Sequence, residues 1–265
     1  MMRALWTAAS GMKAQQLNID TISNNLSNVS TTGFKKQRVE FKDLMYEKLR
    51  TTDFNEGEGK PVNLEVGHGV MPSATVRSFT GGNLEQTNND LDLAINGDGF
   101  FVVRDSNDNM FYTKDGSFKL SIDDGEARVT TADGYYLQSD SGDIELGEDI
   151  EEISIGSDGS ISVKTRDSDE IEDIGEQIMI VKFPNPAGLE SIGKNLFQET
   201  MASGEYTESF EGDGGEVLQG FLESSNVQVV EEMIKLITAQ RAYEINSKTI
   251  QTSDEMLQMA NNLKR

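Results

Sequence analysis

The side chains able to do chemistry are few in kind and poorly arranged for it. The chain has one His and no Cys. Without thiols, disulfides, thiol nucleophiles and Cys-based zinc sites are excluded. The imidazole, His68, sits between Gly67 and Gly69, a loop setting with no acid, base or metal-ligand partner in its motif. Carboxylates number 46 in 265 residues, so close pairs are expected by chance. A glycosidase pair also needs a cleft and one raised pKa, and nothing in the residue pattern points to either. Asp105-Ser106-Asn107-Asp108-Asn109 begins like a calcium loop. Met110 then stands where such a loop needs Gly, and Gly116 where it needs Glu. Gly97-Asp98-Gly99 lacks the third Gly of a dinucleotide fingerprint and opens no helix. Asn28-Val29-Ser30 is a formal glycosylation sequon at an expected helix end. The reading is a chain that is not an enzyme and takes no cofactor and no metal.

Charge is unevenly spread within the net −23. Residues 1–50 carry eight Lys and Arg against four Asp and Glu, and residues 222–265 carry five against six. The middle, 51–221, carries ten against 36. An acidic middle repels nucleic acid and anionic lipid. The basic residues of 34–50 alternate with Glu40, Asp43 and Glu47, which reads as a solvated face and not as a nucleic-acid patch. No apolar run approaches 18 residues, so no membrane insertion is expected. Arg3 is followed by no continuous apolar core and no cleavage site of a signal peptide, so an exported chain is expected to use another route.

Two stretches read as long helices. From Ser225 to Leu263 there is no Gly or Pro, and Val229, Leu236, Tyr243, Ile250 and Leu257 recur every seven residues. A second row, Glu232, Ala239, Asn246, Ser253 and Ala260, is mostly small, which suits close backbone approach. Ser225 and Gln228 have the spacing of a capping box. A helix of this length spans roughly 50 Å at about 1.5 Å per residue and needs a partner. Residues 3–32 supply one. Leu5, Met12, Ile19 and Leu26 fall every seven residues, and Ala8, Gln15, Ile22 and Val29 three later, with Gly33 as the C-cap. Gly11 inside this helix suits close contact with another helix. The polar faces carry amides, among them Asn24 and Asn25, where hydrogen bonding to protein is favoured over solvation. The start of the last helix is apolar nearly all round, through Val229, Val230, Met233, Ile234, Leu236 and Ile237. Such a helix is buried on more than one side. Its leftover face is therefore expected to join copies of the chain.

Between the helices the pattern is β. Residues 51–70 read as an extended arm, and Val70 to Gly220 as short strands punctuated by turns. Asn96-Gly97 reads as a hairpin turn between Ala94-Ile95 and Phe100–Val103. Asp115-Gly116, Asp124-Gly125, Asp133-Gly134 and Asp158-Gly159 punctuate a meander that Pro184–Gly188 ends. The expected fold is α+β: paired N- and C-terminal heptad helices, coiled-coil-like, with an intervening mainly antiparallel β domain. The expected segments are 1–33, a core helix; 34–70, a basic stretch and arm; 71–221, the acidic β domain; and 222–265, the second core helix.

Several of these stretches resemble one family. Ala9 to Gln16 and Ser23 to Lys35 are similar to the N-terminal signature of bacterial flagellar rod and hook proteins. Leu222 to Val227, with Glu232, Gln240 to Tyr243 and Asn246, is similar to their C-terminal signature. Ala94 to Val102 and Phe183 to Leu189 resemble the domain between. Phe34 to Leu44 and the arm to Val70 resemble the family's distal-rod members most, with proximal rod and hook as the alternative. Ser23 and Ser27 stand where the family tends to Ala, and the acidity exceeds what it requires. The resemblance implies a structural subunit of a hollow drive shaft in the basal body, exported by the flagellar type III apparatus. Its implied partners are other copies of itself, neighbouring rod and hook proteins, and ring bushings around the shaft. A different class, a secreted β-domain enzyme or glycan-binding module with helical ends, remains as the contrasting reading.

Overall fold

The computed structural model describes residues 2–50, 64–123, 126–147, 150–165, 171–208 and 215–262. Residues 51–63, the first part of the expected arm, and the Asp124-Gly125 turn lie outside the described residues. The fold is α+β, with two α-helices among the described residues and a mainly antiparallel β region. The chain divides into two compact units. One contains 1–27, 37–77 and 228–265, and the other 28–36 and 78–227.

The first unit holds both helices. α1 spans Met2–Ser27 and α2 spans Val229–Asn262. α1 stops five residues earlier than expected, so Val29 lies beyond it. The chain turns at Asn28, whose carbonyl accepts from the Thr31 N–H, and Gly33 belongs to the loop and not to a C-cap. α2 starts later than the capping-box spacing suggests. The Glu232 N–H donates to the Gln228 carbonyl, while the Ser225 hydroxyl accepts from the Val227 N–H ahead of the helix. The basic stretch forms strands. β1 (Gln37–Asp43) and β2 (Tyr46–Arg50) run out, and β3 (Leu64–Gly67) and β4 (Val70–Arg77) run back. β1 pairs antiparallel with β4 and β2 with β3. His68 sits at the β3–β4 junction, its Nδ1 3.0 Å from the Met45 carbonyl oxygen.

The second unit has its own core. β5 (Leu84–Gln86) pairs with Phe221–Glu223, and β6 (Leu93–Asn96) with Glu216–Gln219. β7 (Phe100–Arg104) and β8 (Met110–Thr113) form a hairpin, and Asp105–Asn109 is its loop. The calcium-like string is thus turn chemistry: the Asp108 N–H donates to the Asp105 carbonyl, and the Asn107 amide to the Asp105 carboxylate. β9 (Lys119–Asp123), β10 (Glu126–Thr130) and β11 (Tyr136–Ser139) follow. The main sheet runs Glu145–Leu146, β10, β11, β7, β8, Leu196–Gln198, Glu190–Gly193. A three-stranded meander, Ile150–Ile155, Ser160–Thr165 and Ile171–Gln177, forms a separate sheet.

β7 explains the unbroken apolar run at 100–103. Phe101 and Val103 enter one core cluster, and Phe100 and Val102 the other, so both faces are buried. The Asn96-Gly97 turn is not a hairpin, because β6 pairs with Glu216–Gln219 and not with β7. Gly97 adopts φ +141°, which lets the chain leave one pair of strands and enter another sheet. Sequence spacing sees a turn there; it cannot see which strand each side chooses.

The unit also buries an ion pair. Lys35 Nζ lies 2.6 Å from Glu223 Oε1 and donates to the Thr80 carbonyl at 3.0 Å. The same Oε1 accepts from the Gly82 N–H at 2.7 Å.

Candidate assembly surface

α1 and α2 pack antiparallel in one unit. Asn25 meets Glu232, and two heptads away Gly11 meets Asn246. A Cβ on Gly11 would stand 2.9 Å from the Asn246 amide nitrogen, so this Gly sets how closely the backbones approach. On α2 the row facing α1 is the small one: Glu232, Ala239 and Ser253 are buried and Asn246 half-buried. The apolar row lies to its side. Leu236, Ile250 and Leu257 are half-buried, and Val229 and Tyr243 exposed. On α1, Leu5, Met12, Ile19 and Leu26 are half-buried and Ile22 is buried.

A polar clip fixes this register. The Asn25 amide donates to the Gln37 carbonyl at 2.8 Å and accepts from the Gln37 N–H at 2.9 Å. It also lies 3.2 Å from Glu232, whose other oxygen pairs with Lys235 at 2.6 Å. One amide thus ties α1, β1 and α2 together. Of the two amides expected to face other copies, Asn24 is exposed, but Asn25 is buried and used inside the unit. Periodicity assigns both to a polar face and cannot tell which one the returning strand covers. Asn25→Ala leaves the Gln37 backbone pair and the Glu232 carboxylate short of partners. It is expected to lower the stability of this unit by about 2–4 kcal/mol, read by thermal unfolding of the monomer. An unchanged midpoint would show the clip to be ornamental.

What the unit lacks is a core. Among the described residues its fully buried apolar side chains are Ala8, Ala14, Ile22 and Ala239, three of them Ala. Both core clusters belong to the other unit. Conversely, among the described residues 17 of the 22 exposed large apolar side chains lie in the helical unit. Val230 is 71% exposed and Ile234 58%, with Met233 and Ile237 beside them. At about 1.5–3 kcal/mol per large side chain fully buried, these four alone hold many kcal/mol of unrealised stabilisation. Heptad reading missed other exposed apolar side chains of this unit: Trp6, Met45, Ile245 and Met259, all more than half exposed. Trp6, Ile245 and Met259 fall off the seven-residue rows. Met45 lies between two strands, where helical spacing has nothing to say. The isolated Trp in an otherwise near-neutral end is the signal that was available.

A self-contained β unit joined to helices that cannot bury themselves defines an assembling structural subunit. Comparison with known proteins says of which kind. Three family models match: "Flagella basal body rod protein" over 5–35, "Flagellar hook protein FlgE/F/G D1 domain" over 94–163, and "Flagellar basal body rod FlgEFG protein C-terminal" over 218–263. The chain is 49% identical to the flagellar basal-body rod protein FlgG of Borreliella burgdorferi, over 100% of both chains. It is 40% identical to FlgG of Bacillus subtilis, again over 100% of both. Against the flagellar hook-basal body complex protein FlhP of that organism, identity is 31% over 100% of both. The chain belongs to the flagellar basal-body rod protein family.

Proposed function

We propose that this chain is a structural subunit of the bacterial flagellar rod, of the distal-rod type, and polymerises into the hollow shaft that carries motor torque to the hook. The carrying observation is the concentration of exposed apolar side chains on a helical unit with almost no core of its own. The relatives named FlgG, similar over the full chain, support the distal-rod choice over proximal rod or hook. In this reading Val229, Val230, Met233, Ile234, Ile237 and Tyr243 of α2 contact neighbouring copies, together with Asn24 and the less buried sides of the α1 seam. The subunit catalyses no reaction. It reaches the basal body through the flagellar export apparatus, and works outside the cytoplasm beside other rod proteins, the hook and the ring bushings. Mechanically, torque is spread over many side-by-side helices, and the strands at 46–50 and 64–67 are placed to extend the contact between copies. Deleting the gene is expected to abolish motility and leave cells without hooks. Hooks assembled normally on such cells would contradict a rod role.

A further inference from the structure

The β unit contains a cleft of about 210 Å³ that the assembly reading does not use. Its walls are the rings of Phe79, Phe100 and Phe183 with Pro184 and Pro186. Lys114, Lys182 and Asp98 supply its charges. Lys114 is only 4% exposed. Its ammonium has three N–H donors. One goes to the Gly97 carbonyl at 2.9 Å, and the Phe100 ring centroid lies 5.6 Å from Nζ. Among the described residues no second hydrogen-bond acceptor meets this nitrogen. Burial pushes the amine down to about 8; Glu223 opposes that shift, Lys35 adds to it and Asp98 opposes it.

The buried charges do not balance. Glu223 is buried with two Lys side chains, Lys35 and Lys114; its Oε1 is taken by Lys35 and the Gly82 N–H, and among the described residues its Oε2 meets no donor, Lys114 included. Asp98 is exposed. Buried charges are ordinarily paired. We propose that this cleft binds a carboxylate carried on a short apolar stem. The carboxylate takes the unused Lys114 donors, and the aromatic and Pro walls cover the stem. The volume is below that of a drug-sized site, so the ligand is of side-chain size. Two sources share this chemistry: a free short-chain acid, or an Asp or Glu side chain of a second copy of this acidic chain.

The test uses the full-length protein, labelled on lysine for nuclear magnetic resonance, with butyrate as probe and butylamine as control. A free-acid site is shown by a saturable shift of the Lys114 signals with butyrate and none with butylamine. The Lys114 titration midpoint should then climb by about one pH unit or more. Lys182, the other lysine lining the cleft, should show a butyrate-dependent shift as well, and Lys114→Met should lose that Lys182 response. Lys114→Arg, which keeps the charge and donors, should retain it and guards against a folding failure in the Met variant. In the second arm, a carbodiimide is added to monomer and to polymer. An amide joining Lys114 to an Asp or Glu of another copy, found by mass spectrometry in the polymer alone, assigns the site to a second copy. Indifference to butyrate together with no such amide would overturn the proposal. The butyrate arm needs no polymer, so its outcome is separate from that of the rod reading.

Discussion

Lys35→Met is expected to destabilise the β unit by about 3–5 kcal/mol, the cost of stranding a buried charge. Lys35 and Glu223 are 1% and 3% exposed and 2.6 Å apart. The substitution keeps the stem's packing and removes the cation, so Glu223 is left buried with the Gly82 N–H and the more distant Lys114. Lys114 holds the loss toward the lower end of the range. The control is the double variant Lys35→Met, Glu223→Gln. With both charges removed it should recover part of the loss, because the pair's net worth is far smaller than the penalty of breaking it. Urea unfolding followed by circular dichroism reads both. Equal losses in the single and double variants would mean that packing, and not charge, is what Lys35 supplies.

The second large effect concerns α2. Val230→Asp with Ile234→Asp is expected to abolish polymerisation while leaving the monomer's unfolding midpoint nearly unchanged. Both side chains are exposed in the monomer, at 71% and 58%, so the free chain loses little packing. In a polymer, each substitution forfeits about 1.5–3 kcal/mol of apolar burial and adds a carboxylate at an interface, which costs more. Since about 1.4 kcal/mol is tenfold in affinity, the concentration needed for assembly should rise at least a hundredfold for the pair. Sedimentation across a concentration series reads the threshold. A variant that assembles at the wild-type threshold would place the contact elsewhere. The same substitutions at Leu120 and Ile122, exposed in the β unit, should leave it unmoved.

The helices were legible because a seven-residue repeat survives burial, exposure and modest polar interruption. Their ends were not. The Ser225/Gln228 spacing fits a capping box, yet Ser225 turns its hydroxyl to the Val227 N–H and α2 starts four residues later. Two short polar motifs competed, and only tertiary placement decides between them. The two heptad rows of α2 were legible too, but their roles were not. The small row faces α1 because Gly11 admits Asn246, and this frees the apolar row to lie beside the contact. Strand existence followed from β-branched and aromatic runs at 100–103, 127–129 and 161–163. Pairing did not, because β6 bonds a strand about 120 residues further along the chain and local turn chemistry carries no record of it. The basic stretch at 34–50 read as solvated because its charges alternate; that suits the exposed ribbon of β1 and β2 and fails at Lys35, which is buried against Glu223. The Lys114 cleft left no signature in sequence at all: its walls come from 79, 98–100, 114 and 182–186, and only the fold brings them together.

The chain's lack of cysteine allows a direct measurement of the assembly surface. Ile234→Cys and Met201→Cys each introduce a unique thiol, one on α2 and one on a fully exposed β-unit turn. Maleimide labelling of monomer and of purified polymer then reports which becomes covered. The thiol at 234 should react readily in the monomer and be protected in the polymer, while that at 201 reacts in both. A thiol at 234 that labels equally fast in the polymer would contradict the assignment of this helix face to the contact between copies.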